Sequence, residues 1–251
     1  MKFSTTGLIV RKQNIGEQDR LVTVLTKSHG IVRAFVRRAE NIKSPKCAST
    51  GLLCYSKLLI SENKSGTYSI EEALSVEQFV GLRKNIENMS LAQYFCELSL
   101  MLCPKEAPAD DFLRLILNAL YLLSSEKKNP LLIKACVEMR LMGLCGYMPD
   151  LVMCGDCGTY QDEEMIFVPK TGKLFCKKCG DKNGVIGIHL PLSVVTALRH
   201  TIYADFDKLF SFELKEELLP LLNTASENYV QYMTDRDYKT LQFYKTIGNT
   251  V

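Results

Sequence analysis

Four cysteines stand at the spacing of a metal site, Cys154-Gly-Asp-Cys157 and Cys176-Lys-Lys-Cys179, with 18 residues between the two pairs. Two residues between thiolates let one tight turn aim both sulfurs at the same ion, and the interval falls in the roughly 15–20-residue window of zinc sites. Gly155, Gly158 and Gly180 offer permissive backbone at the turns. Four sulfurs close a tetrahedral shell and leave no position open for substrate, so the expected role is structural: one Zn2+ that folds the segment. Unligated cysteines or a redox pair are the competing reading. Structural zinc in small peptides contributes on the order of 10–16 kcal/mol, comparable to a whole domain's stability.

A second group is basic. Along Ile31–Arg37, strand alternation puts Val32, Ala34 and Val36 on one face and Arg33, Phe35 and Arg37 on the other. An aromatic ring between two arginines suits single-stranded nucleic acid, because a base stacks on the ring while guanidinium groups meet phosphates. Arg38, Lys43 and Lys46 extend the charge into the following loop, and Arg11, Lys12 and Arg20 are placed to flank it. An ordinary solvated strand face is the alternative. Residues 1–80 hold 12 Lys/Arg against 7 Asp/Glu, and the remainder 19 against 21, so the net +3 hides an N-terminal basic surplus.

These residues need elements to position them. Apolar runs at 7–11, 21–26, 31–37, 52–61 and 67–70, punctuated by Asn14-Ile15-Gly16, Ser28-His29-Gly30, Lys43-Ser44-Pro45 and Asn63-Lys64-Ser65-Gly66, predict five short strands and an OB-fold barrel. From Val76 the apolar period becomes helical. Leu91, Tyr94, Phe95, Leu98, Met101 and Leu102 form a stripe ended by Pro104. Asp110 or Asp111 is placed to cap the next helix, which is apolar nearly all round and is expected to be the most deeply buried element. Another helix follows Pro130, one more starts near Pro191 with Ser193 as cap, and Pro220 should kink or break the last. The fold class expected is α+β multidomain: an OB-fold barrel at 1–78, a helical domain at 79–150 and 184–251, and a zinc ribbon inserted at 151–183.

Several function classes lack their signals. There is no G-x-x-x-x-G-K-[ST], G-x-G-x-x-G or G-x-S-x-G, and the adjacent acidic pairs Glu71-Glu72 and Glu163-Glu164 point apart on any regular element. His29, His189 and His200 have no ligand-like or base-like neighbours in sequence. No stretch is apolar for the ~20 residues a membrane span requires, and Met1 is followed by Lys2, Phe3 and a polar Ser-Thr-Thr run where a secretory signal would be continuously apolar. A non-enzyme confined to the cytoplasm, with no membrane partner, is the expectation. In that reducing setting Cys47, Cys54, Cys96, Cys103, Cys136 and Cys145 read as core packing.

With those pieces in place, the chain resembles the bacterial recombination and repair mediator family RecO over nearly its whole length. The opening TTGLIVRKQNIGEQDRLVTVLTKSHGIVRAFV is similar to that family's barrel, with Gly16-Glu17 and the Thr26 to Gly30 turn in its pattern. More specific is VEMRLMGLCGYMPDLVMCGDCG, which sets Glu138, Arg140, Leu141, Gly146, Tyr147, Pro149, Cys154 and Cys157 on the family's pre-zinc signature. The later DYKTLQFY resembles its closing motif through Lys239, Thr240 and Leu241. Arg38 stands where the family usually has glycine, and Glu40 where it is usually basic. The resemblance implies binding of single- and double-stranded DNA and annealing of complementary strands near the nucleoid. It also implies loading of recombinase with RecR, and docking of the acidic tail of the single-stranded-DNA-binding protein. A zinc-ribbon interaction adaptor, or a nucleic-acid-modifying enzyme with the ribbon as lid, are the rival readings.

Overall fold

Alternation of β-branched and polar residues through the first part of the chain produces five strands in the computed structural model, which describes residues 2–41, 44–64 and 66–248. They are β1 (Lys2–Ile15), β2 (Asp19–Thr26), β3 (Gly30–Val36), then, after the short helix α1 (Pro45–Ser49), β4 (Tyr55–Glu62) and β5 (Tyr68–Glu77). The strands close into a barrel in the order β1-β2-β3-β5-β4, with β3 and β5 parallel and the other neighbours antiparallel. The expected OB-like barrel is therefore present. Ile9, Val22, Val24, Val32, Ala34, Val36, Leu58, Ile60 and Ile70 fill its interior, as the alternation of β3 required.

Two strands run past the apolar segments. The first half of β1 pairs with β4 and the second half with β2, so polar residues such as Ser4 and Asn14 are carried in ladders at both ends. Pairing with β4 likewise extends β5 through Glu71 and Glu72 to Glu77. The turn reading at Ser44-Pro45 understates what forms there: Ser44 accepts from the Lys46 amide and starts α1.

The chain divides into two compact units, residues 1–127 with 238–251 and residues 128–237. In the first, α2 (Ile86–Leu102) begins at Asn85, whose side chain accepts from the Glu87 and Asn88 amides. The following helix, α3 (Asp110–Ser124), corrects two expectations. Its cap is Ala109, with no side-chain bond, and Asp110 and Asp111 lie in the first turn, where they complement the helix dipole. Nor is it buried all round, since Asp111, Arg114 and Tyr121 are exposed opposite Leu113, Ile116 and Leu120. The loop between α2 and α3 fastens the β2–β3 hairpin: the Ile31 amide donates to Pro104 (2.9 Å) and the Ala109 amide to Lys27 (2.9 Å). A Cβ at Gly30 would collide with the Pro104 carbonyl, so only glycine allows this approach. The C-terminal helix (Lys239–Gly248) docks in the same unit. Thr240 donates its amide (3.1 Å) and hydroxyl to Glu97, Leu241 is buried, and Tyr238 meets Tyr94 edge-on.

The second unit contains α4 (Pro130–Leu144), β6 (Asp150–Cys154), β7 (Glu164–Val168), β8 (Lys173–Cys176), α5 (Lys177–Asn183), β9 (Ile188–Pro191), α6 (Leu192–Tyr203) and α7 (Leu219–Thr234). Its strands form one sheet in the order β6-β8-β7-β9. The deeply buried helix is α4, closed in from Leu132 to Met139. Lys134 Nζ lies 2.8 Å from Glu138 and 3.2 Å from Glu227 of α7, and Ser226 donates to Glu138 at 2.6 Å. Ser193 is not a cap: α6 starts from Pro191 with no side-chain bond. Pro220 marks a break: Glu216–Leu218 is a 3-10 turn, α7 starts at Leu219, and Pro220 sits in its first turn, where its missing amide is no loss. Four of the six other cysteines are buried, whereas Cys47 and Cys145 are partly open.

Candidate nucleic-acid interface and metal centre

The barrel register decides which basic side chains share a face. Arg11 of β1 lies opposite Thr23 of β2, which lies opposite Arg33 of β3; one step along, Gln13, Leu21 and Phe35 are aligned in the same way. Partners in an antiparallel ladder project to the same side, so Arg11, Gln13, Arg33 and Phe35 share the outer face. Both arginines are exposed, and Phe35 keeps 39% of its surface in water. Arg37 is exposed two residues beyond Phe35, and its charge reaches Glu71. The Ser61 hydroxyl, with Lys2, Lys46 and Arg37 around it, holds the Glu71 carboxyl below its ordinary range.

A bulge between Ile9 and Arg11 makes this alignment possible. One extra residue reverses the facing of everything after it, sending Arg11 outward while Lys12 and Asn14 take the side of Val22 and Arg20. Simple alternation counted from Ile9 puts Arg11 inside, so the sequence gives no sign of the register.

Arg20 and Lys12 leave the interface. Arg20 is 2% exposed. Its Nε donates to Glu40 at 2.8 Å, Nη2 lies 2.7 Å from the same carboxylate, and Nη1 donates to the Cys47 carbonyl (3.0 Å) and the Thr50 hydroxyl (2.9 Å). Lys12 Nζ lies 3.5 Å from Glu40. The Arg20 hydrogen bond is the main reason that the Glu40 carboxyl is more acidic than usual. Arg38 is exposed and has φ +54°, the left-handed region that favours the glycine the resemblance leads one to expect; its amide donates to Asp19 at 2.9 Å. Lys43 lies outside the described residues. Sequence reasoning misses Gln13 on the face and Thr23 between the two arginines, where it is buried, because only the paired register shows them.

The cysteines come together as their spacing required. The sulfurs of Cys154, Cys157, Cys176 and Cys179 all lie within 4.8 Å of one another. Cys154 ends β6 beside β8, and Cys176 ends β8 at the start of α5, so both pairs leave the same end of the sheet. The first turn is closed by the Gly158 amide on Cys154 (3.0 Å) and the Cys154 amide on Thr159 (2.8 Å). Of the three glycines only Gly158 has positive φ (+75°); Gly180 is small because a Cβ would strike Ile166. Asn183 donates to Asp156 at 3.2 Å and ties the two turns together. Cys157 is the exposed member, and its contact with the Thr159 hydroxyl is the leading cause of a thiol pKa lowered to about 6.

Chemically, four thiols at this separation could hold a metal ion. Zinc–sulfur bonds of about 2.3 Å in a tetrahedron put sulfurs roughly 3.8 Å apart. Cys157 and Cys176 are 3.7 Å apart, which fits that edge and is far too long for a disulfide.

Comparison with known proteins gives the lineage. The model for the N-terminal part of recombination protein O matches residues 1–79, and that for its C-terminal part matches residues 83–242. The DNA repair protein RecO of Acetivibrio thermocellus is 30% identical over 245 residues, 98% of this chain and 97% of its own length. The chain belongs to the RecO family. Other RecO relatives include those of Dehalococcoides mccartyi, 27% identical over 95% of this chain and 93% of the relative, and Symbiobacterium thermophilum, 25% identical over 98% and 97%.

The residues of the stretch that precedes the cysteine pair have visible tasks. Glu138 is the buried partner of Lys134 and Ser226. Arg140 donates to the Thr201 (2.9 Å) and Ala204 (2.6 Å) carbonyls at the end of α6, and its guanidinium lies over the Phe206 ring. Gly146, at φ +85°, ends α4 and lets the Tyr147 amide return to Met142 (2.8 Å).

Proposed function

We propose that this RecO-family chain is a DNA repair and recombination mediator that binds single- and double-stranded DNA on its barrel and anneals complementary strands. The observation that carries the reading is the row Arg11–Thr23–Arg33 across β1, β2 and β3, with exposed Phe35 one step along. Two guanidinium groups flanking a ring offer a phosphate backbone its counter-charges and a base a stacking surface. The interface residues are Arg11, Arg33, Phe35, Arg37 and Arg38, with Lys43 retained from the sequence reading. Arg20 is removed because it is buried against Glu40, and Lys12 because it shares that carboxylate.

Annealing involves no bond chemistry, and the role proposed is non-enzymatic. A cationic face lowers the repulsion between two phosphate backbones and releases their counterions. The four cysteines would hold one structural Zn2+, which folds the ribbon and takes no part in strand exchange. Family membership supports RecR and the tail of the single-stranded-DNA-binding protein as partners, in the cytoplasm at the nucleoid. Among the described residues no helix is long and apolar enough to cross a membrane.

A strand-annealing assay with complementary oligonucleotides tests the proposal. The wild type should accelerate annealing, and the triple variant Arg11→Glu, Arg33→Glu, Arg37→Glu should not, at unchanged zinc content. Equal annealing by the variant would remove the barrel face from the mechanism.

A further inference from the structure

The second unit contains a cavity of about 600 Å³ that neither the barrel face nor the cysteine site uses. Arg199 of α6 forms part of its wall and is only 8% exposed. Its Nε donates to the Leu151 carbonyl (2.7 Å), and Nη2 to the carbonyls of Val152 (3.0 Å) and Tyr160. Nη1 makes no hydrogen bond to the described residues, and no carboxylate among them pairs with this guanidinium. Arg199 lines the cavity, and Nη1 is its one terminal nitrogen left for a further acceptor. A nearly buried cation held by three carbonyls, with no carboxylate paired to it and one free donor, is a candidate anion subsite, with the charge of Asp150 felt nearby at Tyr203.

Around it are ring faces. Tyr160 lies under Arg199, with the guanidinium carbon 4.3 Å from its centroid, yet 58% of the residue remains exposed. Tyr203, also on the wall, is 49% exposed. The Gln161 amide, on the same wall, has no partner among the described residues and offers a donor and an acceptor side by side.

We propose that this cavity takes one nucleotide of a single strand: its phosphodiester on Arg199 Nη1, its base stacked on Tyr160 and Tyr203, and the base edge toward Gln161. The inference rests on the reading that the chain binds DNA, and adds a base-contacting site in the second unit. A strand supplies an anion next to every planar base, which is the combination this cavity is built for. An acidic peptide anchored by an apolar side chain is the alternative occupant, since Val152, Ala204 and the ring faces make the wall more apolar than polar, and the test separates the two.

The test uses the full chain and three fluorescent probes: an oligothymidylate, the same backbone without bases at equal length and charge, and an acidic, carboxylate-ended peptide. Tyr160→Ala should weaken oligothymidylate binding roughly tenfold and leave the abasic strand unchanged, while Tyr160→Phe should bind as wild type. The Tyr160 carbonyl that holds Arg199 survives both substitutions. Unchanged oligothymidylate affinity in Tyr160→Ala overturns the site, as does an equal loss for the abasic strand, which would mark the tyrosine as structural. A loss confined to an acidic, carboxylate-ended peptide would overturn it in favour of a peptide groove. If the wild type binds neither strand, the DNA-binding reading itself has failed, a different result from an unaffected variant.

Discussion

Glu40 accepts Nε of Arg20 at 2.8 Å and faces its Nη2 at 2.7 Å, so the one arginine of the N-terminal basic group that lies inside the barrel is committed to a carboxylate next door. The two positions depend on each other. Arg20 would be an uncompensated buried charge without Glu40, and the resemblance makes a basic residue at position 40 the usual one, which here would repel both Arg20 and Lys12.

Arg20→Ala should therefore act on stability and not on DNA. Removing one partner of a buried ion pair costs about 3–5 kcal/mol, and the half-open Glu40 puts this case at the low end. Urea unfolding is expected to show a lower midpoint with unchanged slope, while the salt dependence of DNA binding stays that of the wild type.

The same pair predicts an acid dependence. The Glu40 carboxyl is held below its ordinary 4.5 by Arg20, so the ionised form is favoured by folding. Its stabilisation is complete above the unfolded pKa and is lost as pH falls through the lower folded value. The difference in unfolding free energy between wild type and Glu40→Gln should be flat above about pH 5 and shrink below about pH 4.

Metal content checks the ribbon. One zinc per chain is expected by elemental analysis, with Cys154, Cys157, Cys176 and Cys179 protected from thiol reagents until a chelator is added. Chelation should raise hydrogen exchange across 150–191 and leave the barrel amides unaffected, because an ion worth on the order of 10 kcal/mol has been removed from a small sheet.

Lys134 sits between two carboxylates in the second unit. Lys134→Met should cost about 3–5 kcal/mol, because it leaves buried negative charge without its cation, and the double variant with Glu138→Leu should recover part of that loss. A double-mutant cycle by thermal unfolding reads the coupling.

How much is legible in the sequence depends on whether the signal is local. The cysteine cluster can be read in full, because the two-residue spacing is itself the geometry of the turn. The inside and outside of β3 follow from alternation, since Val32, Ala34 and Val36 face one core. Whether Arg11 joins Arg33 depends on the β1 bulge, and the fate of Arg20 on a carboxylate 20 residues away, neither of which has a local pattern. The C-terminal helix escapes a sequence reading because much of its anchoring is to Glu97 and Tyr94, distant in the chain. The second-unit cavity is only half visible: Arg199 and Tyr203 stand four apart on α6, but only the fold brings Val152 and Tyr160 to them.

The central claim is that the Arg11–Arg33 face, with Phe35, meets the phosphate backbone, and anisotropy titration of a labelled single strand across salt concentrations measures it directly. The wild type should lose affinity steeply with salt, and replacing Arg11 and Arg33 by alanine should flatten the logarithmic slope by about 0.7 for each phosphate no longer neutralised. Phe35→Ala should lower affinity by roughly 1–3 kcal/mol with the slope unchanged. A salt slope that is the same in the wild type and the double arginine variant would contradict the account.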